Sequence, residues 1–192
     1  MAKLHFRYAA MNAGKSTALL QVAHNYDSLG KRILIVKPSL DSKGGDQVVS
    51  RLGVTRAVDF LWRSGDELPV SVGSHDVILV DEAQFLTEHQ ANQLLYAAVA
   101  TGITVIAYGL RSDFRGDSFP GAARLLSIAH EIEEIRTLCQ CGSKATMNLR
   151  RVNGAPVFDG DQVAIDDGSV EYVSVCARCH QREREAAGAR WE

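Results

Sequence analysis

The 192-residue sequence has no apolar run approaching the ~18 residues of a transmembrane helix. Its opening, Met1-Ala2-Lys3-Leu4-His5-Phe6-Arg7-Tyr8, lacks the apolar stretch of a secretory signal, so a cytoplasmic protein with no membrane partner is expected. Neither sign of charge dominates. The 21 basic and 23 acidic side chains leave a net charge of -2, which gives no global drive toward nucleic acid. Aromatics are few at 7%, yet 46% hydrophobic and 23% charged residues exclude disorder, collagen and coiled coil. Internal repeats and low-complexity segments are absent. Cysteine is scarce too: there are four, all beyond Leu138, and without a secretory signal they are expected to stay reduced.

What is present is an alternation of strands and helices. Lys3 to Tyr8 reads as a strand, followed by a helix on Leu19, Val22, Ala23 and Tyr26 that ends near Gly30. Ile33-Leu34-Ile35-Val36 and Val77-Ile78-Leu79-Val80 are continuous apolar runs typical of strands buried on both faces. Thr87 and Gln90 fit a capping box opening a helix on Ala91, Leu94, Leu95 and Ala98. A strand over Thr104–Tyr108 and a helix on Ala122, Leu125, Leu126 and Ala129 follow. The expected core is thus an α/β domain over residues 1–138, a parallel sheet with helices on both faces. Residues 139–192 are turn-rich, with a hairpin signal at Asn153-Gly154, and read as a small second domain.

Three motifs carry chemistry. Ala9-Ala10-Met11-Asn12-Ala13-Gly14-Lys15-Ser16, followed by Thr17, is a P-loop with alanine at its first glycine position. Its backbone amides would cradle phosphates, Lys15 would reach the β/γ-phosphates and Ser16 would ligate Mg²⁺. Asp81 and Glu82 end a buried strand, where a carboxylate meets ligand. Asp81 is the expected Mg²⁺ partner, and Glu82 can polarise an attacking hydroxyl from water or from a substrate. Cys139/Cys141 and Cys176/Cys179 form two close pairs. A four-thiolate structural zinc site is expected, with His180 able to replace one thiolate and redox chemistry at Cys176/Cys179 as the competing reading.

The order of these motifs resembles the type II thymidine kinases, the cellular and bacterial class with a zinc-bound lasso domain. Met11-Asn12-Ala13-Gly14-Lys15-Ser16, Asp81-Glu82-Ala83-Gln84-Phe85-Leu86, Tyr108 to Gly116 and Tyr172-Val173-Ser174-Val175-Cys176 carry the resemblance over almost the whole chain. It implies a P-loop, RecA-like fold and ATP-dependent phosphorylation of the thymidine 5′-hydroxyl in DNA-precursor salvage, with Glu82 as general base. It adds Gln84 to the residues around ATP. Met11, Phe85, Leu110, Phe114, Phe119, Met147 and Tyr172 would surround the base, under a lasso of about residues 162–172. Thymidine triphosphate as feedback inhibitor and a homotetramer are further implications. The chain departs from the family where Asp166-Asp167-Gly168 replaces paired glycines and where Asp41-Ser42-Lys43 replaces an Asp-x-Arg loop. A P-loop ATPase in which Glu82 activates water, and a zinc-ribbon nucleic-acid binder, are the competing functions. An EF-hand over the late acidic stretch fails, because Val163, Ala164 and Val170 fall at ligand or turn positions.

Overall fold

A computed structural model of the chain describes residues 3–39, 45–69, 73–163 and 168–191. In chain order the first half holds β1 (Leu4–Ala9), α1 (Lys15–Ser28), β2 (Ile33–Pro38), β3 (Gln47–Val49), β4 (Thr55–Ala57), β5 (Phe60–Trp62) and β6 (Val77–Val80). A short 3₁₀ turn (Ala83–Phe85), α2 (Glu88–Thr101), β7 (Thr104–Leu110), α3 (Pro120–Ile128) and β8 (Glu131–Glu134) follow. The remainder comprises β9 (Thr137–Leu138), β10 (Lys144–Ala145), β11 (Met147–Val152), β12 (Ala155–Val157), β13 (Val170–Val175) and α4 (Ala177–Ala186).

Six strands form one parallel sheet in the order β5-β2-β6-β7-β1-β8. Alternation along each strand divides the core into two layers. Ile35, Val77, Leu79, Ile106 and Tyr108 pack with Leu19, Leu20 and Ala23 of α1 on one face. Leu34, Val36, Ile78, Val80, Val105 and Ala107 pack with Leu94 and Ala98 of α2 and Leu125 of α3 on the other. Both faces of the sheet are therefore covered by helices, as the continuous apolar runs require.

Local chemistry sets the helix ends. α1 closes with the Gly30 N–H donating to Asp27 O and the Lys31 N–H to Tyr26 O, the paired bonds of a Schellman turn. α2 opens on a complete capping box between Thr87 and Gln90. Strict strand–helix alternation fails at one place. Between β2 and β6 the chain builds the antiparallel β3–β4 hairpin and the edge strand β5, where no helix was expected either.

Beyond β8, the β9–β10 hairpin and the antiparallel sheet β12-β11-β13 carry α4. Asn153 and Gly154, both left-handed, make the two-residue turn between β11 and β12. Cys139, Ala145, Leu149, Phe158, Val175 and Cys176 form the small core of this part. Asp41-Ser42-Lys43 and Asp166-Asp167 lie outside the described residues. Among the described residues no helix is long and apolar enough to cross a membrane.

Candidate active site

The adjacent parallel strands β6, β7 and β1 end at one edge of the sheet, and each contributes there to a single site. At the end of β1 the backbone turns into the phosphate loop. Ala9 and Ala10 are buried, and Ala9 is still strand, so alanine serves where glycine was expected. The sharp bend falls instead on Asn12 (φ 63°) and on Gly14 (φ 84°), which opens α1. The loop from Met11 through Ser16, with Thr17, Glu82 and Leu110, lines a cavity of about 830 Å³. Lys15 is buried at its wall and donates to Ala10 O at 3.2 Å. Burial depresses the pKa of its ammonium, opposed by the charges of Glu82 and Asp81.

A smaller cavity of about 370 Å³ is lined by Ser16, Lys37, Asp81 and Glu82, among others. Asp81 is buried, and its Oδ1 has no hydrogen-bond partner. Burial first, then the charge of Glu82, push its carboxyl up to about 6. A buried carboxylate oxygen left bare beside a serine hydroxyl suits a hard divalent cation.

Glu82 occupies a left-handed backbone conformation (φ 51°, ψ 39°), rare for a residue with a side chain. Gln84, expected among the ATP-binding residues, lines neither cavity. It is 1% exposed; its Nε2 donates to Glu82 Oε2 at 2.6 Å and its Oε1 accepts from the Leu110 N–H at 3.0 Å. The amide thus fastens Glu82 to the end of β7. The turn carrying both residues rests on Gly121, where a Cβ would lie 2.5 Å from Leu86 O and 2.7 Å from Ala83 O.

The expected base-binding residues divide. Met11 and Leu110 line the larger cavity, and Phe85 and Phe119 pack edge-to-face beside them with centroids 5.5 Å apart. Phe114 is buried beneath the Arg150 guanidinium, 3.5 Å from its ring centre. Met147 packs against the small cysteine-containing core, and Tyr172 lies on β13 opposite Arg150.

Several polar residues organise the site without themselves lining its cavities, apart from Asn12. Asn148, 2% exposed, accepts the Met11 N–H at 2.6 Å and donates to Ser112 O at 2.8 Å. The Ser174 hydroxyl donates to Met11 O, and Asn12 Nδ2 donates to Tyr172 O at 2.8 Å. The phosphate loop is therefore pinned to β11 and β13. Asp113 Oδ1 accepts the N–H groups of Arg115, Gly116 and Asp117, which shapes the loop after β7, and Gln162 donates to its Oδ2. Asp113 lay within the quoted segment after Tyr108. Ser174 likewise belongs to the Tyr172–Cys176 segment and Gln162 opens the expected lasso, whereas Asn148 is an isolated polar residue whose partners lie far away in sequence.

The sulfur atoms of Cys139, Cys141, Cys176 and Cys179 all lie within 4.8 Å of one another, and none is in a disulfide. Tetrahedral thiolates about 2.3 Å from a zinc ion sit about 3.8 Å apart, and Cys141 and Cys176 are 3.6 Å apart. The Cys179 S–H donates to Cys141, then Cys176 and Cys139, which pushes its thiol up to about 12, while hydrogen bonds from Ser143 first, and from the neighbouring thiols, pull Cys141 down to about 6. Four thiolates this close together repel one another and need a cation between them. His180 does not join them. It is fully buried, its Nε2–H donates to Phe114 O at 2.9 Å, and its ring stacks on Trp191 and meets Phe158 edge-on.

A family model described as thymidine kinase matches residues 2–180. A thymidine kinase of Chromobacterium violaceum is 46% identical over 185 residues, covering 95% of this chain and 100% of its own. One of Idiomarina loihiensis is 46% identical over 192 residues, covering 95% of this chain and 97% of its own. Among solved structures, Bacteroides Pif1 bound to ssDNA aligns with a TM-score of 0.40 at 11% identity, covering 69% of this chain and 38% of that one, a likeness too distant to bear on function.

Proposed function

The chain belongs to the thymidine kinase family, and on that premise we propose that it transfers the γ-phosphate of ATP to the 5′-hydroxyl of thymidine, with Glu82 as general base. The observation that carries this reading is that Glu82, held by Gln84 in a left-handed turn, faces the same cavity as the phosphate loop, Met11 and Leu110. The thymidine 5′-oxygen forms a bond to the γ-phosphorus as the bond to the β,γ-bridging oxygen breaks. ADP leaves with that electron pair, and Glu82 receives the hydroxyl proton. Lys15 and the amides from Met11 to Thr17 bind the phosphates, with Ala9 and Ala10 shaping the loop's entry. Asp81 and Ser16 would hold Mg²⁺, which would supply charge neutralisation at the phosphates.

Leu110, Phe85, Phe119 and Met11 form one wall of the thymine pocket. Phe114, Met147 and Tyr172 approach it from the loop after β7 and from the small sheet. Zinc held by Cys139, Cys141, Cys176 and Cys179 makes residues 139–192 a rigid lid over the α/β unit of residues 1–138. The family also points to a cytoplasmic homotetramer inhibited by thymidine triphosphate.

The test is ADP release from Mg-ATP across a panel of nucleosides. Stimulation by thymidine, and its loss in Glu82→Gln with ATP binding retained, supports the reading. Hydrolysis indifferent to nucleoside removes the kinase assignment, and near-normal turnover in Glu82→Gln removes Glu82 from the base role.

A further inference from the structure

Arg51, at the tip of the β3–β4 hairpin, also lines the phosphate-loop cavity, and among the described residues no ion pair accounts for it. It shares that wall with Val49 and Leu52, facing Met11 to Lys15 and Glu82. One guanidinium N–H donates to Asn12 Oδ1, so the group sits on the left-handed bend of the loop. The same Asn12 side chain donates to Tyr172 O, on the strand that approaches the nucleoside. Arg51 therefore stands where three pieces meet: the phosphate loop, the nucleoside side and the base-bearing Glu82.

Its aim is set by the hairpin itself. The Ser50 N–H donates to Val54 O, the Val54 N–H donates to Ser50 Oγ, and the Gly53 N–H returns to Ser50 O. Ser50 is buried, so the tip is a fixed turn with Arg51 and Leu52 projecting from it. Among the described residues no carboxylate forms an ion pair with Arg51. It is close enough to Lys15 for the two charges to repel. Arg51, with no such partner, converges with Lys15 on one cavity, which suits a multiply charged anion, and a planar guanidinium matches phosphoryl oxygens with paired hydrogen bonds.

We propose that Arg51 is a catalytic residue of the phosphoryl transfer: its guanidinium leaves Asn12 and contacts the transferring γ-phosphoryl group, as an arginine finger supplied in cis. This rests on the kinase reading above. Charge spreads over the equatorial oxygens and the bridging oxygen as the bond to ADP breaks, and a group whose contact tightens there raises kcat rather than lowering KM.

The experiment is steady-state kinetics of Arg51→Ala, Arg51→Lys and Arg51→Gln with Mg-ATP and thymidine, alongside wild type and Glu82→Gln. Arg51→Ala is expected to lose ~100-fold or more in kcat, with the KM for thymidine changed less than ~3-fold. Lysine should recover part of the loss, and guanidinium chloride, but not sodium chloride at equal ionic strength, should stimulate the alanine variant. Glutamine can keep the hydrogen bond to Asn12 without the charge, so wild-type kcat in Arg51→Gln makes the residue structural and overturns the proposal. A defect confined to the KM for ATP overturns it too. If wild type shows no thymidine-dependent turnover the kinase reading itself has failed, whereas a fully active Arg51→Ala in an active kinase defeats only this assignment.

Discussion

Replacing Asp81 by asparagine should make the protein more stable and inactive. Asp81 is buried at the end of β6 with a bare Oδ1, and its carboxyl is pushed from an ordinary 3.8 up to about 6. An acid that holds its proton more tightly in the folded chain weakens the fold once it ionises. The cost is absent below the unfolded value and complete above the folded one. At about 1.4 kcal/mol per tenfold change in proton affinity, the difference corresponds to about 3 kcal/mol near pH 7.5. Glu82 shares the repulsion, so a gain of about 1–3 kcal/mol is the reasonable expectation for Asp81→Asn. In a chain of this size each kcal/mol moves the unfolding midpoint by about 2–4 °C. Thermal unfolding of the Mg²⁺-free, zinc-loaded protein should therefore show the variant about 2–12 °C above wild type at pH 7.5. The gain should be roughly half as large at pH 5, where the folded carboxyl is largely protonated. Added Mg-ATP should raise the wild-type midpoint more than the variant's, and thymidine phosphorylation should be lost. A variant no more stable than wild type at pH 7.5, or a gain independent of pH, would refute the reasoning.

Three other outcomes follow from the same geometry. Gly121→Ala drives a methyl group into the carbonyls of Leu86 and Ala83, so calorimetry should show a loss of about 1–3 kcal/mol, with reduced kcat because the turn carrying Glu82 must shift. Asn148→Ala leaves the Met11 N–H and Ser112 carbonyl without a buried partner; denaturant titration should register a loss of about 2–4 kcal/mol, and a loss under 0.5 would show that water replaces the amide. Elemental analysis should find about one zinc per chain, and its removal by a chelator should expose free thiols and abolish activity; a stable, metal-free protein with disulfides would contradict the thiolate site.

What could be read in the sequence was what depends on neighbours along the chain. The capping box of α2, the Schellman close of α1, the Asn153-Gly154 turn and the buried apolar strands are local patterns, and each was legible. β8 was not, because Glu131-Ile132-Glu133-Glu134 is an acidic edge strand with no apolar face to announce it. The β3–β4 hairpin was hidden for a similar reason: Val48 is its one buried strand position. Within the site, motifs located the phosphate loop, Asp81 and Glu82, since their chemistry demands fixed residue types at fixed spacing. The resemblance put Gln84 among the residues around ATP, whereas its buried amide bonds Glu82 and the Leu110 N–H. His180 was offered as a zinc ligand because it follows Cys179, but α4 points it toward Phe114. Asn148 and Arg51 gave no signal: their partners, Met11 and Asn12, come from another part of the fold, and pairing across such distances leaves no periodicity behind.

The bonds from Asn148, Ser174 and Tyr172 to Met11 and Asn12 have a consequence for engineering. The phosphate loop is not an interchangeable cassette in this protein. A loop transplanted from an unrelated nucleotide-binding enzyme would bring the right lysine and serine but no asparagine at position 12 to grip the opposite sheet. Trimming the chain before β11 would strip the loop's own backbone of its anchors. The two ends of the polypeptide are thus under joint design constraint, and substitutions at either are best chosen as matched sets.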